Sequence, residues 1–353
     1  MKRINIKFSF TIMLAFSIML SSCDKNFEEI NTDPIGEGKT TANQLLAPAL
    51  VNVLTANMSR NRNFNNELMQ VTVNISDGEA QVFRYDFRRT WADYTWNTWY
   101  PELTNLKDIY TIASQPATLN KSYQAISLIT QTWVSSLLTD TYGDVPYSEA
   151  NTGKDGNLEP KFDLQKDIYA DMFKKLEEAN TLLKDGTPII ATGDPVYQGD
   201  VAKWRRFGNS LYLRLLLRVS GKAEVSTSAR AKIKEIVDTN PANYPIMTDN
   251  THTAKILWNG SNLSAALYTS PFMNIRAVDF RTPAITSFFL DNVINWGYPR
   301  VTTRWGIAQG PGGFEGVPSG YAPGSGVVKQ AYFYSDAQNV AVTLQTDPYT
   351  GIL

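Results

Sequence analysis

Between Asn43 and Ser220 apolar residues return every three or four positions, the spacing that places them on one face of an α-helix. Leu46, Leu50, Val53 and Leu54 mark a first helix, and Trp91 to Ile112 a second with Trp96, Trp99, Leu103, Leu106 and Ile109 or Tyr110. A third runs from about Asn120 to Leu138. After Gln165 the pattern is cleanest: Ile168, Met172, Leu176, Ala179 and Leu183 share one face, Lys166, Lys174, Lys175, Glu177 and Glu178 lie elsewhere, and the pattern stops near Asp185-Gly186. In Val201 to Ser220, Trp204, Phe207, Leu211 and Leu215 form one stripe with Leu213 and Leu217 opposite, which predicts a helix covered on both faces. Helices that bury their neighbours suggest a mainly α stack of tetratricopeptide type. No self-similarity with a period of about 34 residues can be aligned, so an irregular helical bundle stays open as the alternative.

Beyond Asn240 the texture changes. Pro241, Pro245, Pro271, Pro283 and Pro299 break the pattern, Gly306 to Gly326 is glycine-rich, and only Thr282 to Asp291 reads as helical. The expected division is therefore a helical-repeat core over 43–240 and an irregular, loop-rich binding region over 241–353. Trp296, Tyr298, Trp305, Phe314 and Tyr321 give that region an aromatic density that argues against simple disorder.

The N-terminus adds location. Lys2, Arg3 and Lys7 precede an apolar run from Phe8 to Leu20, which has the proportions of a secretory signal and is too short to span a bilayer of about 30 Å. Leu20-Ser21-Ser22-Cys23 then resembles the lipobox of bacterial lipoproteins, so residues 1–22 are expected to be removed and Cys23 acylated. Two or more acyl chains suffice for stable anchoring without a membrane-spanning helix. Residues 23–42 are polar, with Pro34, Gly36 and Gly38, and read as a tether. Gly38-Lys39-Thr40 fails as a phosphate loop because position 33 is Asp and no strand precedes it.

Cys23 is the only cysteine, so the mature body has no disulfide and must be held by its own core. Removal of the signal leaves 30 basic against 34 acidic residues, a balance that argues against nucleic acid or anionic lipid as a partner.

Three segments together resemble the SusD/RagB family of outer-membrane nutrient-binding lipoproteins of Bacteroidetes, in its SusD-like branch. They are Phe27-Glu28-Glu29-Ile30-Asn31-Thr32-Asp33-Pro34; Leu138-Thr139-Asp140-Thr141-Tyr142-Gly143-Asp144-Val145-Pro146-Tyr147-Ser148-Glu149-Ala150; and Gly199-Asp200-Val201-Ala202-Lys203-Trp204 with Phe207-Gly208-Asn209-Ser210-Leu211 and Leu213-Arg214-Leu215. The resemblance implies a helical-repeat scaffold under a less regular binding region, at the cell surface, capping a SusC-like TonB-dependent transporter. It implies binding and delivery rather than catalysis, with glycan or oligopeptide as cargo and no cofactor. Relatives continue into further helices where this chain stops at Ile352-Leu353, so a fragment or a shortened gene is expected. A structural lipoprotein that binds only a protein partner is the competing reading.

Asp140, Asp144 and Glu149 could suggest a glycosidase, but sequence cannot set the carboxyl separation of about 5 to 10 Å that this chemistry needs. Helix termination by Gly143 and Pro146, a turn held by Asp144 and packed tyrosines explain the motif more simply. His252 is the sole histidine and has no nucleophile motif beside it, and no zinc or calcium spacing occurs. Candidate ligand contacts are rings that can stack on sugar faces, together with hydrogen-bonding groups. One cluster is Phe83, Tyr85, Trp91 and Asn97; the other is Trp296, Tyr298, Arg304 and Trp305. Trp96, Trp99 and Trp204 are assigned to packing.

Overall fold

Helix α1 (Ala42–Arg60) buries Leu46, Leu50, Val53 and Leu54, the residues whose spacing announced it. The computed structural model describes residues 40–75, 78, 81–258, 268–272, 282–304, 313–329 and 350–352. Cys23 and Trp305 lie outside them. Helices α2 (Asp93–Ala113), α3 (Lys121–Tyr142), α4 (Gln165–Lys184), α5 (Val201–Val219) and α6 (Ser226–Lys234) follow. Each packs on the next in chain order, from α1 against α2 to α5 against α6. Serial packing of this kind makes a quasi-linear helical stack, and one core runs through it from Ala42 to Trp258.

The helix covered on both sides is α3, not α5. Between α2 and α4, α3 buries residues all round its circumference, including Ile126, Ile129, Trp133 and Val134. Its polar residues conceal this in the sequence, because several of their side chains find partners inside the protein. Ser127 Oγ donates to Leu106 O at 2.5 Å, Thr130 Oγ1 to Ile126 O at 2.7 Å, and Gln131 Nε2 to Ser127 Oγ at 2.7 Å. Satisfied in this way, hydroxyls cost little to bury. In α5, Trp204, Phe207, Leu211 and Leu215 are buried as expected, but Leu213 is only half-buried and Leu217 stays 57% exposed. No second layer covers that side of α5 at Leu217.

Connections carry the motif residues. α3 ends at Gly143, whose φ of 80° lies in a region that side chains avoid. A two-stranded hairpin follows, in which β2 (Val145–Pro146) pairs with β3 (Phe162–Asp163) in the register Val145↔Asp163. Asp144 Oδ1 accepts the Gln165 N–H at 2.8 Å and so caps α4 from outside the helix. Asp140 accepts from Tyr169 OH at 2.6 Å and pairs with Arg218 at 2.9 Å, and Glu149 pairs with Lys161 at 3.2 Å. All three carboxylates of the motif are thus committed to structure. Before α5, buried Asp194 accepts from Trp204 Nε1 at 2.8 Å and from the Gly199 N–H at 2.9 Å, and Asp200 caps the helix by accepting the Lys203 N–H.

The later part of the chain is irregular, as expected, with one correction. Thr282–Asp291 is not a single helix: β5 (Pro283–Ile285) comes first and α7 (Ser287–Asn295) starts after Thr286, whose hydroxyl accepts the Phe289 N–H at 3.1 Å. Pro283 and β-branched Ile285 favour extended backbone, and Thr286 supplies the cap. β5 pairs antiparallel with β1 (Thr72–Asn74) in the register Val73↔Ala284. β4 (Lys255–Leu257) pairs with β6 (Thr350–Ile352), and a short turn, α8 (Val301–Arg304), follows α7. The loop that leaves α1 is therefore tied directly to the irregular region.

Candidate ligand-binding site

α1 does not stop cleanly at Arg60. It continues through a π-turn (Asn61–Asn65) into a last helical turn (Asn66–Leu68), and one extra residue per turn rotates the chain relative to α1. The rotation brings Phe64 to 5.8 Å from Phe87 and 5.6 Å from Trp91, ring centre to ring centre. Tyr85 joins edge-on to Phe87 at 6.4 Å. Tyr85 follows the 3-10 turn Val82–Arg84 with a φ of 58°, a left-handed conformation that reverses the chain and turns Tyr85 away from its neighbour Phe83.

At the centre of these rings lies Arg60. Its guanidinium carbon sits 4.6 Å from the Tyr94 ring centre, 5.2 Å from Trp91 and 5.8 Å from Phe64, and its Nη2 donates to Trp91 O at 3.0 Å. Burial draws its pKa below the ordinary arginine value. The rings are open to solvent: Tyr85 is 60% exposed, Phe87 48% and Tyr94 42%. The result is a cradle of flat apolar faces around one cation, with exposed Asn97 a turn further along α2. Such an arrangement can stack on the apolar faces of a polyol and hydrogen-bond its rim.

Sequence reasoning placed Tyr85 and Trp91 here. Phe83 is a correction: it is 1% exposed and stacks on Tyr321 at 5.0 Å inside a small core with Val73, Ala284 and Val317. Its backbone is gripped on both sides, by the Glu67 carboxyl at N–H and by Gln70 Nε2 at C=O at 2.8 Å. Phe83 therefore supports the cradle and offers it no face. Arg60, Phe64, Phe87 and Tyr94 were not singled out. Isolated aromatics in the polar runs Asn61-Arg62-Asn63-Phe64-Asn65-Asn66 and Arg84-Tyr85-Asp86-Phe87-Arg88 were the available signal.

The second predicted cluster stands elsewhere. Trp296 is 76% exposed, half-buried Tyr298 packs on the small core of Ile285, Leu290, Val293 and Val301, and Arg300 Nη1 donates to Tyr298 OH at 3.2 Å. Arg304 closes α8, and Trp305 falls outside the described residues.

A groove of about 620 Å³ lies apart from both clusters, along α2, α3, α4 and the β2–β3 hairpin. Lys175 pairs with Asp171 at 3.4 Å, and Tyr147 OH donates to the same carboxylate at 2.6 Å. Lys107 Nζ donates to Ala150 O at 2.6 Å; burial first, and Lys175 second, push its pKa down to about 8. These polar groups bond one another and hold the hairpin to the scaffold.

Among the described residues no helix is long and apolar enough to cross a membrane. No curated protein matches the chain. Several solved structures share its fold. A chitin-binding protein is similar with a TM-score of 0.67 at 24% identity, over 88% of this chain and 67% of its own. A chitin-binding SusD homologue from Flavobacterium johnsoniae gives 0.69 at 20% identity, over 88% of this chain and 62% of that one. A SusD homologue from Bacteroides thetaiotaomicron VPI-5482 gives 0.65 at 17% identity, over 89% and 62%. Another SusD-like protein of Bacteroidetes is matched over 51% of its length, so this chain spans about half to two thirds of the structures it resembles. A family model described as "Starch-binding associating with outer membrane" runs from residue 34 to residue 352, across the helical stack, the cradle and β6 alike, and by that match the protein belongs to the SusD-like family.

Proposed function

We propose that this protein is a lipid-anchored, surface-exposed receptor of the outer membrane that captures an oligosaccharide and hands it to a SusC-like TonB-dependent transporter. The observation that carries the reading is the open aromatic cradle around Arg60, mounted on a rigid helical stack. Ring stacking supplies affinity without covalent chemistry, and the motif carboxylates that a hydrolase would need are engaged in caps and ion pairs. The family description names starch, and two similar solved structures are chitin-binding, which favours glycan over oligopeptide. Acylation of Cys23 would hold the body to the membrane. Trp296 and Tyr298, with Arg304 and Trp305, are kept as a second contact region, and Asn97 as a rim residue of the first.

The test is isothermal titration of the purified protein against starch, chitin and peptide oligomers, with Tyr85→Ala and Tyr94→Ala as probes. Each exposed ring is expected to weaken glycan binding about tenfold or more when removed, with thermal unfolding unchanged. Silence across the glycans with a response to peptides would replace the cargo; silence to all would favour the scaffolding reading. Co-purification with a large β-barrel partner, and loss of surface protease accessibility in Cys23→Ser cells, test delivery and anchoring.

A further inference from the structure

Arg60 is a partly buried cation that, among the described residues, has neither an anion nor a full set of polar partners. Lys175 pairs with Asp171 at 3.4 Å and Lys232 with Glu177 at 2.8 Å, while Lys107 and Arg205, which have no carboxylate partner among the described residues, donate to the oxygens of Ala150, Asn180 and Asn243. Arg60 has three rings around it, one backbone carbonyl on Nη2 and, among the described residues, no carboxylate. Its Nε is shut off from solvent without a hydrogen-bond partner, and so is Trp91 Nε1 beside it. Among the described residues Nη1 has no hydrogen bond either and, unlike Nε, it is not closed off. A cation that has lost part of its hydration and gained only ring faces is a preorganised half of an ion pair. Its planar fork matches a carboxylate or a sulfate, and the surrounding rings lower the local dielectric and strengthen that contact.

Resting on the cradle being the ligand site, we propose that the oligosaccharide it takes is acidic, bearing a carboxylate or a sulfate ester that pairs with Arg60 while the sugar ring stacks on Tyr94 and Trp91. Arg88 and Arg89, both exposed on the stretch that carries Phe87 and Trp91, offer further positive charge at the rim, against Asp86 and Asp93. Selection by one buried-side pair suits a body whose mature net charge is negative and which cannot attract anions by its overall field.

Matched ligands test this on the full chain by isothermal titration. One arm uses oligogalacturonides against their methyl-esterified forms, which keep the shape and lose the carboxylate charge; the other uses carrageenan oligosaccharides against their desulfated forms. The acidic member of at least one pair is expected to bind about tenfold more tightly or better, equivalent to about 1.4 kcal/mol. Arg60→Gln is expected to abolish the preference, and Arg60→Lys to retain only part of it. Should Arg60→Gln fail to fold, salt decides: raising it should weaken the acidic ligand and leave the neutral one unchanged. Equal binding within both pairs, or a preference insensitive to salt, overturns the inference. Neutral starch or chitin binding that Tyr94→Ala weakens, without any acidic preference, would leave the cradle standing and remove only the anion. Glycan binding indifferent to both Tyr85→Ala and Tyr94→Ala would remove the cradle itself.

Discussion

Glu67 is a buried carboxyl in the turn that joins α1 to the cradle, and its titration should set the pH range over which that loop is held. Burial raises its pKa from the ordinary 4.5 to about 7, against the opposing pull of the Phe83 N–H and of Arg62. In the unfolded chain the same carboxyl ionises near 4.5, so between the two values the folded state binds more protons and stability must fall as pH rises. Below about 4.5 the group costs nothing; above about 7 the cost is complete. At about 1.36 kcal/mol per pH unit, that gap sets a ceiling of about 3 kcal/mol. Glu67→Gln keeps an acceptor for the Phe83 N–H, mimics the protonated acid and removes the titration. Urea unfolding followed by tryptophan fluorescence should therefore find the variant close to wild type at pH 4.5 and more stable at pH 8, by up to that ceiling. Hydrogen exchange gives the local readout, because the Phe83 amide should be less protected in the wild type at high pH and equally protected at both pH values in the variant. A stability difference that does not change between pH 4.5 and 8 would refute the reasoning, and one that changes the other way would mean that the Phe83 and Arg62 contributions outweigh burial.

Other perturbations separate support from contact. Phe83→Ala should cost about 3–5 kcal/mol in chemical denaturation, as a buried ring leaving a cavity beside Tyr321, whereas Tyr85→Ala two residues on should stay within about 0.5 kcal/mol. Gly208→Ala places a methyl 2.7 Å from Ile129 Cδ1 where α5 crosses α3, and should destabilise by about 1–3 kcal/mol in the same assay. Asp144→Ala strips the acceptor from the first turn of α4 and should cost about 1 kcal/mol, with earlier loss of exchange protection at Gln165.

Much of the scaffold was legible because helices such as α4 and α5 bury one main stripe each. The face of Ile168, Met172, Leu176, Ala179 and Leu183 could be read directly, since charged residues such as Lys166, Lys174, Lys175, Glu177 and Glu178 occupy other positions of α4. α3 was legible as a helix but not as the doubly covered one. Ser127, Thr130 and Gln131 read as polar, and only the positions of Leu106 O and Ile126 O reveal that they are satisfied inside the protein. α5 was misread in the opposite sense, because hydrophobicity at Leu217 does not guarantee that anything covers it.

The cradle was half legible for a physical reason. A ring contributes to binding through the face it leaves open, and openness is decided by chain direction over a few residues and by neighbours far away in sequence. Phe83 and Tyr85 are chemically similar and two positions apart, yet the left-handed turn at Tyr85 sends one into the core with Tyr321 and the other to solvent. Arg60 precedes Trp91 by 31 residues, and nothing in the local sequence of either announces the contact. It follows from the π-turn that rotates Phe64 into place and from the packing of α1 against α2. The same logic makes the charge at the centre more informative than the rings around it. Exposed aromatics occur on many proteins, but a guanidinium held between them with an unfilled hydrogen-bonding edge restricts which ligand completes the site.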